Sequence, residues 1–193
     1  MALEEPAIIV VSGIQGAGKS TVARSLAERF ERGVHIEADA LQRMIVSGGQ
    51  WPGEAGEPAG ETARQLRLRL HNACLLARSF HAAGFTAVVD DIIIGERFDD
   101  LREELAGLAF RLVVLAPDVA TVIARDEARE NMVGEEWARY LDDEQRRTMA
   151  GNGMWVDNSS QTPAETVDEV MSRLDDEGLV EAQRSARGEL RLE

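Results

Sequence analysis

The stretch AIIVVSGIQGAGKST, residues 7–21, decides the fold. Ala7–Val11 is an unbroken apolar run, the pattern of a short strand buried on both faces in a parallel sheet. Glycines follow at 13, 16 and 18, and then Lys19–Phe30 carries Val22, Ala23, Leu26, Ala27 and Phe30 at helical spacing, with Gly33 expected to stop that helix. Gly13–Ser20 matches G-x-x-x-x-G-K-[ST] between a strand and a helix. In that setting glycines let backbone N–H groups turn onto phosphates, and the helix N-terminus adds positive potential. The lysine reaches the β- and γ-phosphates, and the hydroxyl of Ser20 ligates Mg²⁺. Lysine and arginine total 21, and Lys19 is the one lysine among them. A planar, forked guanidinium replaces an ammonium on a surface but not in this cradle. The expected phosphate contacts are Gly13, Gln15, Gly16, Ala17, Gly18, Lys19, Ser20 and Thr21.

Outward from the cradle, the composition sets limits. The chain has 193 residues, which fits one domain over 1–193. Its net charge of −14 opposes a nucleic-acid or anionic-membrane partner, because phosphate contacts need a basic surface. An anionic ligand must therefore be held locally, against the global field. Cys74 is the only cysteine, so no intramolecular disulfide forms, and its apolar neighbours suggest a small buried residue. No basic-then-apolar leader opens the chain, and no apolar run approaches the ~20 residues of a membrane span. The expectation is a cytoplasmic protein.

Along the chain, strands alternate with helices. Val34–Ala38 is a second expected strand ending at Asp39, followed by a short helix over Ala40–Val46. Residues 47–60 are rich in glycine and proline and read as a mobile loop on the acceptor side. Glu61–Ala83 reads as a long helix with a stripe of Leu66, Leu70, Ala73, Leu76, Ala77 and Phe80. Phe85–Ile94 is a third strand with its end, Phe98–Leu108 a helix, and Arg111–Ala116 a fourth strand. Helical pattern resumes at Val119 and runs to about Thr148, with residues 125–148 as a lid. Trp155–Asp157 is a fifth strand. Thr162-Pro163-Ala164-Glu165 opens a last helix with a capping box and proline at the first position. Residues 178–193 read as a tail that frays. The order predicts an α/β fold: a doubly wound parallel sheet of about five strands, helices on both faces and a small helical lid.

Several residues outside the cradle are candidates for chemistry. Val88-Val89-Asp90-Asp91 is a strand ending in acids, on the strand expected beside the cradle. Asp90 is read as a Mg²⁺ contact, and Asp91 as an acceptor contact. Alternation along the second strand would point Glu37 and Asp39 the same way, into the crevice at the strand ends. There Asp39 is the candidate base for an attacking hydroxyl and Glu37 a metal-shell partner. A helix cap is the competing role for Asp39. Arg125 and Arg129 share a helix face, and with Arg139, Arg146 and Arg147 they either form a lid over the nucleotide or pair with neighbouring acids. On the long helix, Arg64, Arg67 and His71 share a face that either meets an acceptor or is solvated. Trp51 is a candidate to fold over a substrate. His35 and His81 have no evident partners and read as structural.

With these residues in view, the chain resembles the small P-loop kinases, above all the chloramphenicol phosphotransferase-like family, over roughly residues 7–175. The resemblance rests on Gly13–Ser20, Asp39, the stretch Val88–Gly95 with its V-D-D-x-x-x-G pattern, Arg125-Asp126-Glu127-Ala128-Arg129, and the late Val156-Asp157 strand before Thr162-Pro163. It implies ATP and Mg²⁺ as cofactors, Asp39 as general base, and Arg125 and Arg129 in the lid near adenine and phosphates. It implies transfer of the γ-phosphoryl of MgATP to a hydroxyl of a small molecule, an antibiotic of the chloramphenicol kind or a related metabolite. Two alternatives stay open: a nucleoside, nucleotide or other metabolite kinase, and a non-catalytic nucleotide-binding regulator. A conventional GTPase is excluded, because its N-K-x-D motif needs a second lysine.

Overall fold

Short apolar runs bounded by glycine and acid build the centre of the molecule. In the computed structural model, which describes residues 6–52, 56–127 and 134–182, the strands are β1 (Ile8–Gly13), β2 (Gly33–Glu37), β3 (Thr86–Asp90), β4 (Phe110–Leu115), β5 (Met154–Val156) and β6 (Leu179–Val180). The helices are α1 (Lys19–Ala27), α2 (Ala38–Arg43), α3 (Gly60–Ala82), α4 (Glu96–Glu104), α5 (Val119–Glu127), α6 (Glu135–Met149) and α7 (Pro163–Glu177). The sheet order is β2-β3-β1-β4-β5, all parallel, and β6 adds to β4 antiparallel.

Parallel strands need covering on both faces, and alternation along β1 shows both covers. Ile9 and Val11 pack with Val22 and Leu26 of α1 and Val170 of α7. Ile8 and Val10 pack with Leu70, Ala73 and Ala77 of α3 and Leu101 of α4. Cys74 is buried in that second layer, as its neighbours predicted.

The expected order of elements is present, and the boundaries carry the information. β2 ends at Glu37, and Ala38 already opens α2. Asp39 therefore sits in the first turn of a helix rather than at a strand end, so the two-residue alternation that aligned it with Glu37 does not apply. The helix cap falls to Glu37, not Asp39. β3 stops at Asp90, and Asp91–Gly95 leaves the sheet as irregular backbone. Gly33 does not cap α1, whose C-cap is Glu28. It starts β2, where a Cβ would lie 1.8 Å from the carbonyl oxygen of Ala27. The capping box of α7 is formed: Thr162 Oγ1 accepts from the N–H of Glu165, and Glu165 accepts from the N–H of Thr162.

Two stretches differ from expectation. In the expected mobile loop, Gln65 of α3 donates to the carbonyl of Gly48 and accepts from the N–H of Gln50, at 2.8 and 2.7 Å. Gln42 of α2 donates to the carbonyl of Gln50 and to Gln65. Residues 48–50 are thus tied to α2 and α3, while residues 53–55 lie outside the described residues. In the expected tail, Leu179 and Val180 pair with Arg111 and Phe110, a strand too short to carry a periodic signal. Residues 183–193 lie outside the described residues.

The Gly33 contact is testable. Gly33→Ala has to move the backbone of either α1 or β2, and overpacking of this kind costs about 1–3 kcal/mol. Thermal unfolding should show a Tm lower by roughly 2–10 °C. An unchanged Tm would show that the α1–β2 junction has room for a methyl group.

Candidate active site

The site is assembled where β1, β3 and the β2–α2 junction end together, the crevice position of open α/β sheets. The loop after β1 turns on Gly16 and Gly18, with φ of 84° and 91°, a backbone region that side chains disfavour. Gly16 also lies so close to Val122 of α5 that a Cβ would meet its Cγ1 and carbonyl oxygen at 3.0 Å. Lys19 opens α1 and reaches back over the loop, donating to the carbonyl of Ile14 at 3.1 Å. Burial lowers its pKa from the usual lysine value, and the carboxylates of Asp90, Asp39 and Asp91 oppose that shift.

Asp90 is the buried acid at the end of β3. Ser20 Oγ donates to its Oδ2 at 2.6 Å, and His35 Nε2 lies 2.7 Å from its Oδ1. The sequence suggested no partner for His35; the register of β2 on β3 supplies one, because Glu37 pairs with Asp90 and His35 with Val88. Ser20 and Asp90 are hard oxygen donors side by side, which suits Mg²⁺. Among the described residues, no group of three or more His, Cys, Asp or Glu side chains is arranged to hold a metal. Glu37, expected in the metal shell, accepts from Arg43 at 2.6 Å.

Asp91 follows Asp90 but belongs to another cluster. Arg69 of α3 donates through Nη2 to Asp91 Oδ1 and through Nη1 to Asp39 Oδ1, the latter at 2.9 Å. Arg97 of α4 donates to Asp91 Oδ2 at 2.6 Å, and the N–H of Ile92 donates to Oδ1. Asp91 was expected on an acceptor. Instead its side chain is 1% exposed and both oxygens hold arginines.

The expected acceptor face of α3 turns elsewhere. Arg67 pairs with Asp100 and His71 with Glu104, both on α4, and Arg64 pairs with Glu61 on its own helix. The buried polar stripe is Gln65 and Arg69, four residues apart: Gln65 meets Gln42 and residues 48–50, and Arg69 reaches the strand ends. A signal existed: both stand directly before members of the leucine stripe, Leu66 and Leu70, where a polar side chain is drawn into the protein. Trp51 is 47% exposed and makes no ring contact among the described residues.

On the far side of the cradle, a cavity of about 370 Å³ is lined by Gly18, Thr21, Arg125, Asn158, Gln161 and Pro163, among others. Arg125 donates to the carbonyl of Asn158 at 2.9 Å, and Asn158 Nδ2 donates to the carbonyl of Ala17 at 3.0 Å. Asn158 Oδ1 is buried and has no partner among the described residues. Asn158 went unnoticed in the sequence because its role depends on β5 lying two strands from β1. Arg129 lies outside the described residues. Arg139, Arg146 and Arg147 pair with Glu135, Asp142 and Glu144 on α6 itself, the solvated alternative to a lid contact. A cavity of about 420 Å³ beside α1 and β2, lined by Arg24, Glu28, Glu31 and His35 among others, touches no cradle residue.

Comparison with known proteins agrees with this architecture. A sugar kinase from Janibacter sp. HTCC2649 superposes with a TM-score of 0.66 at 20% identity, over 88% of this chain and 94% of that one. A gluconokinase from Sinorhizobium meliloti 1021 gives 0.61 at 23% identity, over 88% and 92%. The tunicamycin resistance protein of Deinococcus radiodurans gives 0.63 at 19% identity, over 91% and 98%. These likenesses establish a shared fold. No curated protein matches the sequence. The model of the AAA domain family matches residues 8–152, which contain the cradle, Asp39, Asp90 and the α3 stripe, and the chain belongs to that family.

Proposed function

We propose that the protein is an ATP-dependent phosphotransferase that moves the γ-phosphoryl of MgATP to a hydroxyl of a small molecule. One observation carries this reading: Ser20, next to Lys19, bonds Asp90, and Arg69 bridges Asp39 to Asp91, the residue after Asp90, so the loop and the two acids meet at one end of the sheet. Asp39 has its Oδ1 on Arg69, and its Oδ2 takes no hydrogen bond among the described residues. Its side chain is 55% exposed, so a carboxylate oxygen is open to an incoming hydroxyl.

In this mechanism the cradle N–H groups and Lys19 hold the β- and γ-phosphates. Ser20 and Asp90 would hold Mg²⁺, which neutralises the phosphate oxygens when bound. Asp39 accepts the proton of the acceptor hydroxyl as its oxygen attacks the γ-phosphorus. The bond to the β-phosphate oxygen breaks and ADP leaves. Lys19 stabilises the charge that builds on the transferred group. The base of the nucleotide fits the cavity beside Arg125, where Asn158 Oδ1 offers a buried acceptor without a partner. The net charge of −14 disfavours a nucleic-acid acceptor. The named kinases of similar fold support transfer to a small molecule, and antibiotics of the chloramphenicol kind remain one class of acceptor to test.

The test is ADP release from MgATP across chloramphenicol, gluconate and other sugars or sugar acids, shikimate and nucleosides, with Lys19→Ala alongside. An acceptor-dependent signal that vanishes in Lys19→Ala supports the reading. ATP binding without any transfer favours a regulator instead. Lys19→Arg should also lose most of the rate, since the guanidinium cannot take the place of the ammonium. Asp39→Asn should lower kcat by about 10²–10⁴-fold and leave ATP affinity intact; wild-type kcat would remove Asp39 as the base. Arg125→Ala should weaken ATP binding roughly ten-fold, a loss of about 1.4 kcal/mol, read by calorimetric titration. Unchanged affinity would take Arg125 out of the nucleotide site.

A further inference from the structure

We propose that Arg69 is a positioning residue for phosphoryl transfer: it holds Asp39 in its working orientation and acts through Asp39, not on a substrate. This inference rests on Asp39 being the base.

The argument begins with what Asp39 lacks. It stands in the first turn of α2, a helix of six residues, and its side chain is half exposed. An aspartate so placed samples several rotamers, and a base must hold one oxygen within hydrogen-bond reach of the attacking hydroxyl. The guanidinium of Arg69 supplies the missing constraint, with one terminal nitrogen on Asp39 and the other on Asp91.

Arg69 is itself fixed. Its side chain is 5% exposed, and the Asp91 it binds is fixed in turn by Arg97 and by the N–H of Ile92. The path runs from β3 and α4 through Asp91 to Arg69 and then to Asp39. Asp91 and Arg69 are both buried, so the orientation of an exposed side chain is set from the interior.

Two features argue against Arg69 as a substrate ligand. Both terminal nitrogens are engaged by this chain's own carboxylates, and Nε is shut off from solvent. The cluster of Asp39, Asp91, Arg69 and Arg97 is also neutral as a whole. It orients one carboxylate and leaves the ammonium of Lys19 to face the phosphates. Removing Arg69 leaves Asp91 paired with Arg97, so the fold keeps a partner for its buried acid.

The experiment is a double-mutant cycle of Arg69→Met, Asp39→Asn and their combination in the full chain. The readout is slow MgATP hydrolysis, in which water is the acceptor, so no acceptor need be known. Calorimetric ATP binding serves as the control for folding. Arg69→Met should lower kcat on the order of 10²-fold, the scale of a displaced catalytic group, with KM for ATP unchanged. Arg69→Lys, which keeps a cationic donor, should recover part of that loss. The combination should be no slower than Asp39→Asn alone. Losses that multiply while Asp39→Asn is itself impaired overturn the positioning role and put Arg69 on the substrate. A wild-type rate in Asp39→Asn overturns the base and the positioning role together. Should Arg69→Met fail the binding control, the same cycle with Arg69→Lys decides the matter by the same criterion.

Discussion

Parallel pairing of β1 with β3 is the constraint on which the site depends. It sets Val11 beside Asp90, residues far apart in the chain, and so brings the end of the acid-terminated strand against the start of the phosphate loop. From that register the hydroxyl of Ser20 reaches Asp90, and the next residue, Asp91, leaves the sheet toward α3 and α4. A slip of one residue would exchange the two acids between opposite faces of the strand. The acid bound by Ser20 and His35 and the acid bound by the arginines would then trade surroundings, and neither set of partners would be met.

The charges are arranged in a consistent way around that register. The chain as a whole is strongly acidic, yet the crevice holds the buried Arg69, the part-buried Arg97 and Lys19, and a helix N-terminus. A buried carboxylate is tolerated only when paired and hydrogen-bonded. Asp91 meets this condition with two arginines and a backbone N–H, and Asp90 with a hydroxyl and an imidazole. Lys19 differs. It is held by one carbonyl of its own loop, a contact that a phosphate can replace. Interlocked ion pairs around Asp91 and an ammonium held by a single loop carbonyl divide the crevice into a fixed part and an exchangeable part.

The layers around the sheet serve the same division. The face covered by α1 and α7 carries the glycine-rich loop and the cavity beside it, whose wall includes Arg125, Asn158 and Pro163 at the start of α7. The face covered by α3 and α4 carries the arginines that hold Asp39 and Asp91. Residues 48–50 are tied down by Gln42 of α2 and by Gln65, one turn before Arg69 on α3.

The sequence by itself determined the local features. The apolar runs, the glycine-rich turn, the lone lysine and the capping box at Thr162 are set by neighbours in the chain, and each forms where its pattern predicts. Asp90 was legible as a candidate because it ends an apolar strand, and Asp39 because it follows a strand, although it stands in the first turn of α2. What only the tertiary structure decided is which side chains meet across segments. His35 reaches Asp90 because β2 lies beside β3. Arg69, not Arg64, Arg67 or His71, reaches the strand ends because α4 takes the other face of α3. Asn158 meets Ala17 because the loop after β5 folds back to the cradle. Glu37 and Asp39 part company because the strand gives way to helix between them. Helical and strand periodicity report which residues share a face; they carry no information on what that face meets, and the partners of a buried charge are set by packing between elements distant in sequence.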